Sequence, residues 1–291
     1  MNKIAILLTC HNRKDKTIHC LTSLYKALEL YNAEMTFDVF LVDDGCTDGT
    51  SDAIKELFSN INVISGSGDL FWSGGMILAW KTALMQDKEY DAFLLLNDDV
   101  ILMKDFFTNL LVSHEFCLKQ YNQSGIYVCS TKDMLSSKIS YGGTLITHRG
   151  IRIKSNLVKP SDTPIVCTMA NANILLVTKS VVDKIGILDE RYYHQFADFD
   201  YTFVASQRKI PVLVCPGFGG YCDDDHGKDW LGPGSSLKKR ISFLYSPLGL
   251  SYNDQIYYLK KNFKFQFPYY FLMLWLKTFC PFVWEKYKKY N

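Results

Sequence analysis

The chain has 291 residues, a formal net charge of +2, 48% hydrophobic and 21% charged residues, a balance ordinary for a globular protein that buries a full core and gives no reason to expect a nucleic-acid partner. Nine cysteines, odd in number and without a C-x-x-C pair, argue against a disulfide framework and read as reduced, mostly structural thiols of a cytoplasmic protein. Met1-Asn2-Lys3 runs straight into a strand, so no signal peptide is expected, and no internal repeat is evident.

Lys3 to Thr9 reads as the first strand. Lys14 to Tyr31 reads as a helix with Ile18, Leu21, Leu24, Tyr25 and Leu28 on one face. Phe37 to Val42 is the second strand, and Asp48-Gly49-Thr50 opens a helix to about Phe58. A short strand over Asn62 to Ser65, a helix over Gly74 to Gln86 and a strand over Ala92 to Leu96 follow. This alternation predicts an α/β fold with a parallel, doubly wound sheet. Beyond Asp99 the pattern is less regular. Lys104 to Tyr121 reads as helix, Gly125 to Ser130 and Ser140 to Thr147 as strands, and Arg149 to Pro164 as loop. Ile174 to Val177 reads as strand, Lys179 to Lys184 and Asp198 to Lys209 as helices, Val212 to Cys215 as strand, and Gly217 to Ser236 as a mobile active-site loop.

Two apolar runs end in acid. Asp43-Asp44 follows Val39-Phe40-Leu41-Val42, and Asn97-Asp98-Asp99 follows Ala92-Phe93-Leu94-Leu95-Leu96. Such runs are strands buried on both faces, and open α/β sheets bind ligands beyond the carboxyl ends of their strands. Carboxylates there suit a hard divalent cation bridging to phosphate, so a nucleotide diphosphate with a metal is the expected ligand. Ribose hydroxyls would suit Asp43 and Asp44 as acceptors. Asp44-Gly45 also reads as a turn, and Thr47 or Asp48 as a helix cap. Gly66 to Gly75 fails as a dinucleotide fingerprint, because Phe71 stands where G-x-G-x-x-G needs its third glycine. It reads as a loop bringing Gly68, Asp69 and Gly75 toward a nucleotide sugar with Trp72 as a wall, or as a tight turn with core aromatics.

Four blocks, in order, resemble family 2 glycosyltransferases of the GT-A fold: Thr9-Cys10-His11-Asn12-Arg13, Val42 to Thr50, Leu96-Asn97-Asp98-Asp99, and Phe196-Ala197-Asp198-Phe199-Asp200-Tyr201. The resemblance spans roughly residues 1 to 230. It implies a GT-A type, Rossmann-like, mostly parallel sheet flanked by helices, with a catalytic domain over 1–235 divided into a nucleotide-binding half (1–100) and an acceptor-binding half (101–235). It also implies an inverting, metal-dependent transferase of the hexosyl or deoxyhexosyl type, using Mn²⁺ or Mg²⁺ to move sugar from a nucleotide-diphosphate donor to a glycan or lipid-linked acceptor in surface polysaccharide synthesis.

Carried over by position, Thr9, His11, Asn12, Arg13, Asp43, Asp44, Asn97 and Asp98 frame the donor. Asp99 is the metal ligand, and His226 falls where a late histidine reaches metal or diphosphate. Asp198 takes the general-base position and Asp200 a supporting one. Ala197 departs from the family pattern by replacing its usual Glu, which keeps open a catalytically inactive nucleotide-sugar or glycan-binding protein. Asp198 and Asp200 also suit a helix N-terminus. Asn171 and Asn173, ahead of an apolar strand, are the candidate acceptor contacts. A nucleotidyltransferase is disfavoured because the chain start lacks a glycine-rich, basic phosphate loop.

Residues 236–291 form a basic extension: from Lys238 onward ten Lys or Arg face two acidic residues. Phe265 to Trp284 is aromatic, with Lys277 its single charge. Pro268, Lys277 and Pro281 argue against a membrane span. The segment is expected either to lie on the anionic inner face of the plasma membrane or to pack on the catalytic domain or a second copy in a homodimer.

Overall fold

The computed structural model describes residues 1–31, 35–223 and 235–283. The first half alternates strand and helix: β1 (Lys3–Cys10), α1 (Lys14–Leu28), β2 (Thr36–Asp43), α2 (Thr50–Leu57), β3 (Ile61–Ser65), α3 (Phe71–Leu84) and β4 (Ala92–Leu96). Its strands run parallel, with β1 between β2 and β4. All five residues of β4 are buried, as a strand covered by helices on both faces requires. α1 turns Cys20, Leu21, Leu24, Ala27 and Leu28 onto one face of the sheet, and α3 turns Met76, Ala79, Trp80 and Ala83 onto the other.

The second half is mixed. It contains β5 (Ile101–Leu102), α4 (Phe106–Tyr121), β6 (Ile126–Lys132), β7 (Ile139–Tyr141), β8 (Gly143–Arg149), β9 (Arg152–Leu157), β10 (Ile165–Val166), β11 (Met169–Ala170), β12 (Ile174–Thr178), α5 (Lys179–Ile185), α6 (Ala197–Gln207) and β13 (Val212–Tyr221). The main sheet runs β10-β13-β6-β12-β4-β1-β2-β3, and β11-β8-β9 form a small second sheet. β12 is antiparallel to both β4 and β6, so the expected doubly wound parallel arrangement holds for the first half and gives way beyond β4.

Two segments expected as loop are strand. β9 pairs with β8 in a hairpin; its residues are mostly exposed, so no buried face writes a period-2 pattern into the sequence. Gly217 to Tyr221 extend β13 along β6. Gly219 lets the backbones close up there, since a Cβ would sit 2.4 Å from that of Cys129.

The extension folds as α7 (Leu237–Tyr245), α8 (Tyr252–Asn262) and α9 (Phe267–Phe279). α8 is anchored to the body of the fold: Tyr258 and Leu259 are buried, and the Tyr258 ring stacks on Phe196 at 5.2 Å. On α9, Tyr270 Oη accepts the Ile153 N–H at 2.7 Å, while Leu272 and Phe279 face solvent. The packing reading of the tail thus describes one face of α9 and leaves the other apolar and open. Among the described residues no helix is long and apolar enough to cross a membrane.

Candidate active site

The register that pairs Cys10 with Asp43 and Leu7 with Leu95 brings the acidic ends of β2 and β4 to one edge of the sheet. A cleft opens there as two adjoining hollows. One, of about 400 Å³, is lined by Thr9, His11, Asp44, Gly68 and Phe71. The other, of about 420 Å³, is lined by Asn97, Asp99, Asn171, Asn173, Asp198 and Asp223. Arg13, Trp72, Asp98, His194 and Leu248 border both. Each hollow falls in the size range of small-molecule sites.

The first of these hollows is built by Asp44. Its Oδ1 accepts the Gly68 N–H at 2.8 Å, and its Oδ2 accepts Leu70 and Phe71 N–H at 2.9 and 3.0 Å. The carboxylate therefore satisfies the orphan amides that start α3 and fixes the glycine-rich loop, which is why α3 begins at Phe71 rather than Gly74. Gly75 serves packing: a Cβ would lie 2.1 Å from Thr9 Oγ1. Asn12 joins the two strand-end loops, its Oδ1 accepting Thr47 N–H at 2.7 Å. Asp48 accepts N–H from Lys14 and Thr50, the first residues of α1 and α2, from the position before Gly49, which is the N-cap of α2. Asp69 is exposed and borders neither hollow. Trp72 is the expected wall, its Nε1 donating to Asn97 Oδ1 at 2.8 Å.

The acid pair after β4 is held unequally. Asp98 is buried, accepting from Thr17 Oγ1 at 3.2 Å and Arg13 Nη1 at 3.3 Å. The same Arg13 nitrogen reaches Asp99 Oδ2 at 2.8 Å, and Asp99 Oδ1 receives the Cys222 thiol at 3.5 Å. Desolvation raises the Asp98 carboxyl to about 6, with Arg13 opposing and Asp99 adding to the rise. Two carboxylates share one half-exposed guanidinium, so the spot has charge and hard oxygen donors to spare for a divalent cation. Among the described residues no third His, Cys, Asp or Glu joins them in a compact group. His226 lies outside the described residues.

Asp198, on the lining of the second chamber, sits in the first turn of α6 and is partly exposed. Ala172 N–H donates to its Oδ2 at 2.9 Å and Phe199 N–H to its Oδ1 at 2.8 Å. Desolvation outweighs these bonds and lifts the carboxyl to about 6. Asp200 points the opposite way: buried, it accepts from Lys261 Nζ and Asn262 Nδ2 of α8 at 2.6 Å each and borders neither hollow.

His194, Gln195, Tyr141, Cys222, Asp223 and Leu248 also line the cleft and were not singled out in the sequence. Asp254 of α8 explains the first two. Its carboxylate accepts N–H from Tyr193, His194 and Gln195 at 3.1, 2.9 and 3.0 Å, and Gln195 Nε2 donates to Gly249 O at 2.8 Å. The extension thus shapes one wall of the site. Polar His194-Gln195 directly before the Phe196 block was the available signal.

A family model described as glycosyl transferase family 2 matches residues 5–170, more than half of the chain, and ends before Asp198. Residues 1–349 of S. aureus TarS in complex with UDP superpose with a TM-score of 0.54 at 16% identity, covering 90% of this chain and 72% of that one. The same TarS fragment with UDP-GlcNAc gives 0.52 at 16% identity, covering 96% and 79%. At that identity the likeness establishes a shared GT-A type fold. No curated protein matches the sequence.

Proposed function

The chain belongs to glycosyl transferase family 2, and on that footing we propose that it is an inverting, metal-dependent glycosyltransferase moving a hexosyl or deoxyhexosyl group from a nucleotide-diphosphate sugar to a hydroxyl of a glycan or lipid-linked acceptor. The observation that supports this reading is that Asp198 and Asp99 line the same hollow. Residues 1–235 would form the catalytic body and 236–291 an extension that supplies part of a wall.

In this reading the chamber around Thr9, His11, Asp44 and Gly68 takes the nucleoside, with Arg13 toward the phosphates; Asp43 borders neither hollow and accepts the Cys46 N–H instead. Asp99 would hold Mn²⁺ or Mg²⁺ with the diphosphate, and the ion's charge would offset that building on the leaving group. Asn171 and Asn173 would orient sugar or acceptor hydroxyls. Asp198, ionised and poised near 6, accepts the acceptor's hydroxyl proton as that oxygen bonds to the anomeric carbon and the bond to the diphosphate oxygen breaks. One displacement inverts the anomeric configuration. A carboxylate whose pKa desolvation has lifted toward neutrality is a stronger base than a fully solvated one, and the two amide donors fix its direction.

The second reading, a binding protein without catalysis, is favoured only by Ala197, which is fully buried where the family pattern has Glu. Donor hydrolysis separates the two. Incubated with a panel of nucleotide sugars and Mn²⁺, beginning with UDP-GlcNAc, the protein should release nucleoside diphosphate slowly without acceptor and faster with one. Tight donor binding with no release under either condition supports the binding protein.

A further inference from the structure

Cys10, Asp43 and Cys46 place three potential ligand atoms within 4.8 Å of one another at the ends of β1 and β2, and we propose that they form a binding site for a thiophilic divalent cation, Zn²⁺, distinct from the Asp99 position.

Three observations carry this. Cys10 and Asp43 are register partners on adjacent parallel strands, and the turn through Asp44-Gly45 brings Cys46 back over them. The two sulfurs lie 3.9 Å apart. That is far beyond the ~2.05 Å of a disulfide and close to the roughly 3.8 Å between two thiolates at ~2.3 Å on one tetrahedral ion. The surroundings are those of a ligand set: Asp43 Oδ1 accepts the Cys46 N–H at 2.7 Å, and the Asn12 N–H points at Cys46 Sγ at 3.2 Å. An amide donor on a coordinating sulfur is the kind of supporting contact that steadies thiolate ligands.

Two sulfurs and one carboxylate oxygen give three protein ligands, and the half-buried Cys46 and Asp43 leave the fourth position to water. This donor set selects differently from the all-oxygen pair at Asp98 and Asp99, since thiolates favour zinc over magnesium or manganese. Binding forms two Zn–S bonds and releases both thiol protons to solvent, so affinity rises with pH. It also ties the end of β1 to the turn whose Asp44 organises the glycine-rich loop.

The test uses the full-length, reduced, metal-stripped protein titrated with Co²⁺ and then Zn²⁺. One Co²⁺ per chain should raise a sulfur-to-cobalt charge-transfer band in the near ultraviolet, and Zn²⁺ should remove it. Cys46→Ser changes one atom at a half-buried position, so the fold should stand, with an unchanged far-ultraviolet spectrum as the check. In that variant the band should fall to about half or less, and Zn²⁺ affinity, read by competition with a chromophoric chelator, should drop by more than ~10²-fold, beyond the cost of losing a supporting contact. Cys222→Ser, beside Asp99, should retain both signals. A missing band, a band intact in Cys46→Ser, or one lost in Cys222→Ser overturns the proposal.

Discussion

Lys261 Nζ lies 2.6 Å from Asp200 Oδ2, with Asp200 only 3% exposed, so the second acid of the Asp198-Phe199-Asp200 stretch is spent on fastening α8 to the catalytic body. Removing one member of a buried pair strands the other. Lys261→Met should therefore lower unfolding free energy by about 3 kcal/mol, the low end for such pairs, because Asn262 still serves Asp200. Urea denaturation checks it; a loss under ~1 kcal/mol, the scale of exposed pairs, would mean the contact is superficial.

Acid should silence the site before it unfolds the protein. Desolvation lifts both Asp198 and Asp98 to about 6, and because Asp198 must be ionised to act as the base, kcat/KM should fall about tenfold per pH unit below that value. Both carboxyls sit above their ordinary value of 3.8. The folded chain thus binds more protons between these limits, and the stability these groups contribute is full below 3.8 and lost as pH rises through about 6. Thermal unfolding at pH 5 should show no loss traceable to these two groups while turnover drops. A pH-independent rate down to pH 5 contradicts the assignment.

Asp99 is the ligand to remove for the metal. Asp99→Ala should abolish turnover and the Mn²⁺ dependence of nucleotide binding while the thermal transition persists, since Asp98 keeps Arg13 and Thr17. Unchanged nucleotide affinity across Mn²⁺ titrations of that variant would remove Asp99 from the role.

Much of this site could be read from the chain because its determinants are local. Apolar runs ending in acid marked β2 and β4, whose burial on both faces leaves nothing else to write in those positions, and Asp198 was marked by a motif at a helix start. What escaped depends on partners distant in sequence. His194 and Gln195 enter the cleft because Asp254, some sixty residues later, binds their amides. Asp200 leaves it because of Lys261. Gly75 reads like a ligand glycine until Thr9 is seen beside it. β9 went unread because its hairpin is exposed and carries no buried stripe.

The apolar outer face of α9 should hold the protein to anionic membrane. Leu272 is 62% and Phe279 50% exposed, whereas Leu274 and Thr278 are buried. Leu272→Glu combined with Phe279→Glu should release the protein from anionic vesicles at low salt and leave transfer to a soluble acceptor analogue intact. Equal vesicle binding by the variant and the parent would rule out this face.

The most direct measurement compares Asp198→Asn with the parent enzyme for donor binding and sugar transfer in the same buffer with Mn²⁺. Asparagine keeps the shape and can still accept one of the Ala172 and Phe199 amides through its single oxygen, yet it cannot take a proton. Donor affinity should stay within a fewfold of the parent while the transfer rate falls by about 10² or more, the scale of general-base assistance. Transfer at a near-parental rate would contradict the account, and if Asp200→Asn then lost transfer while keeping its thermal transition, the base would lie two residues further along α6.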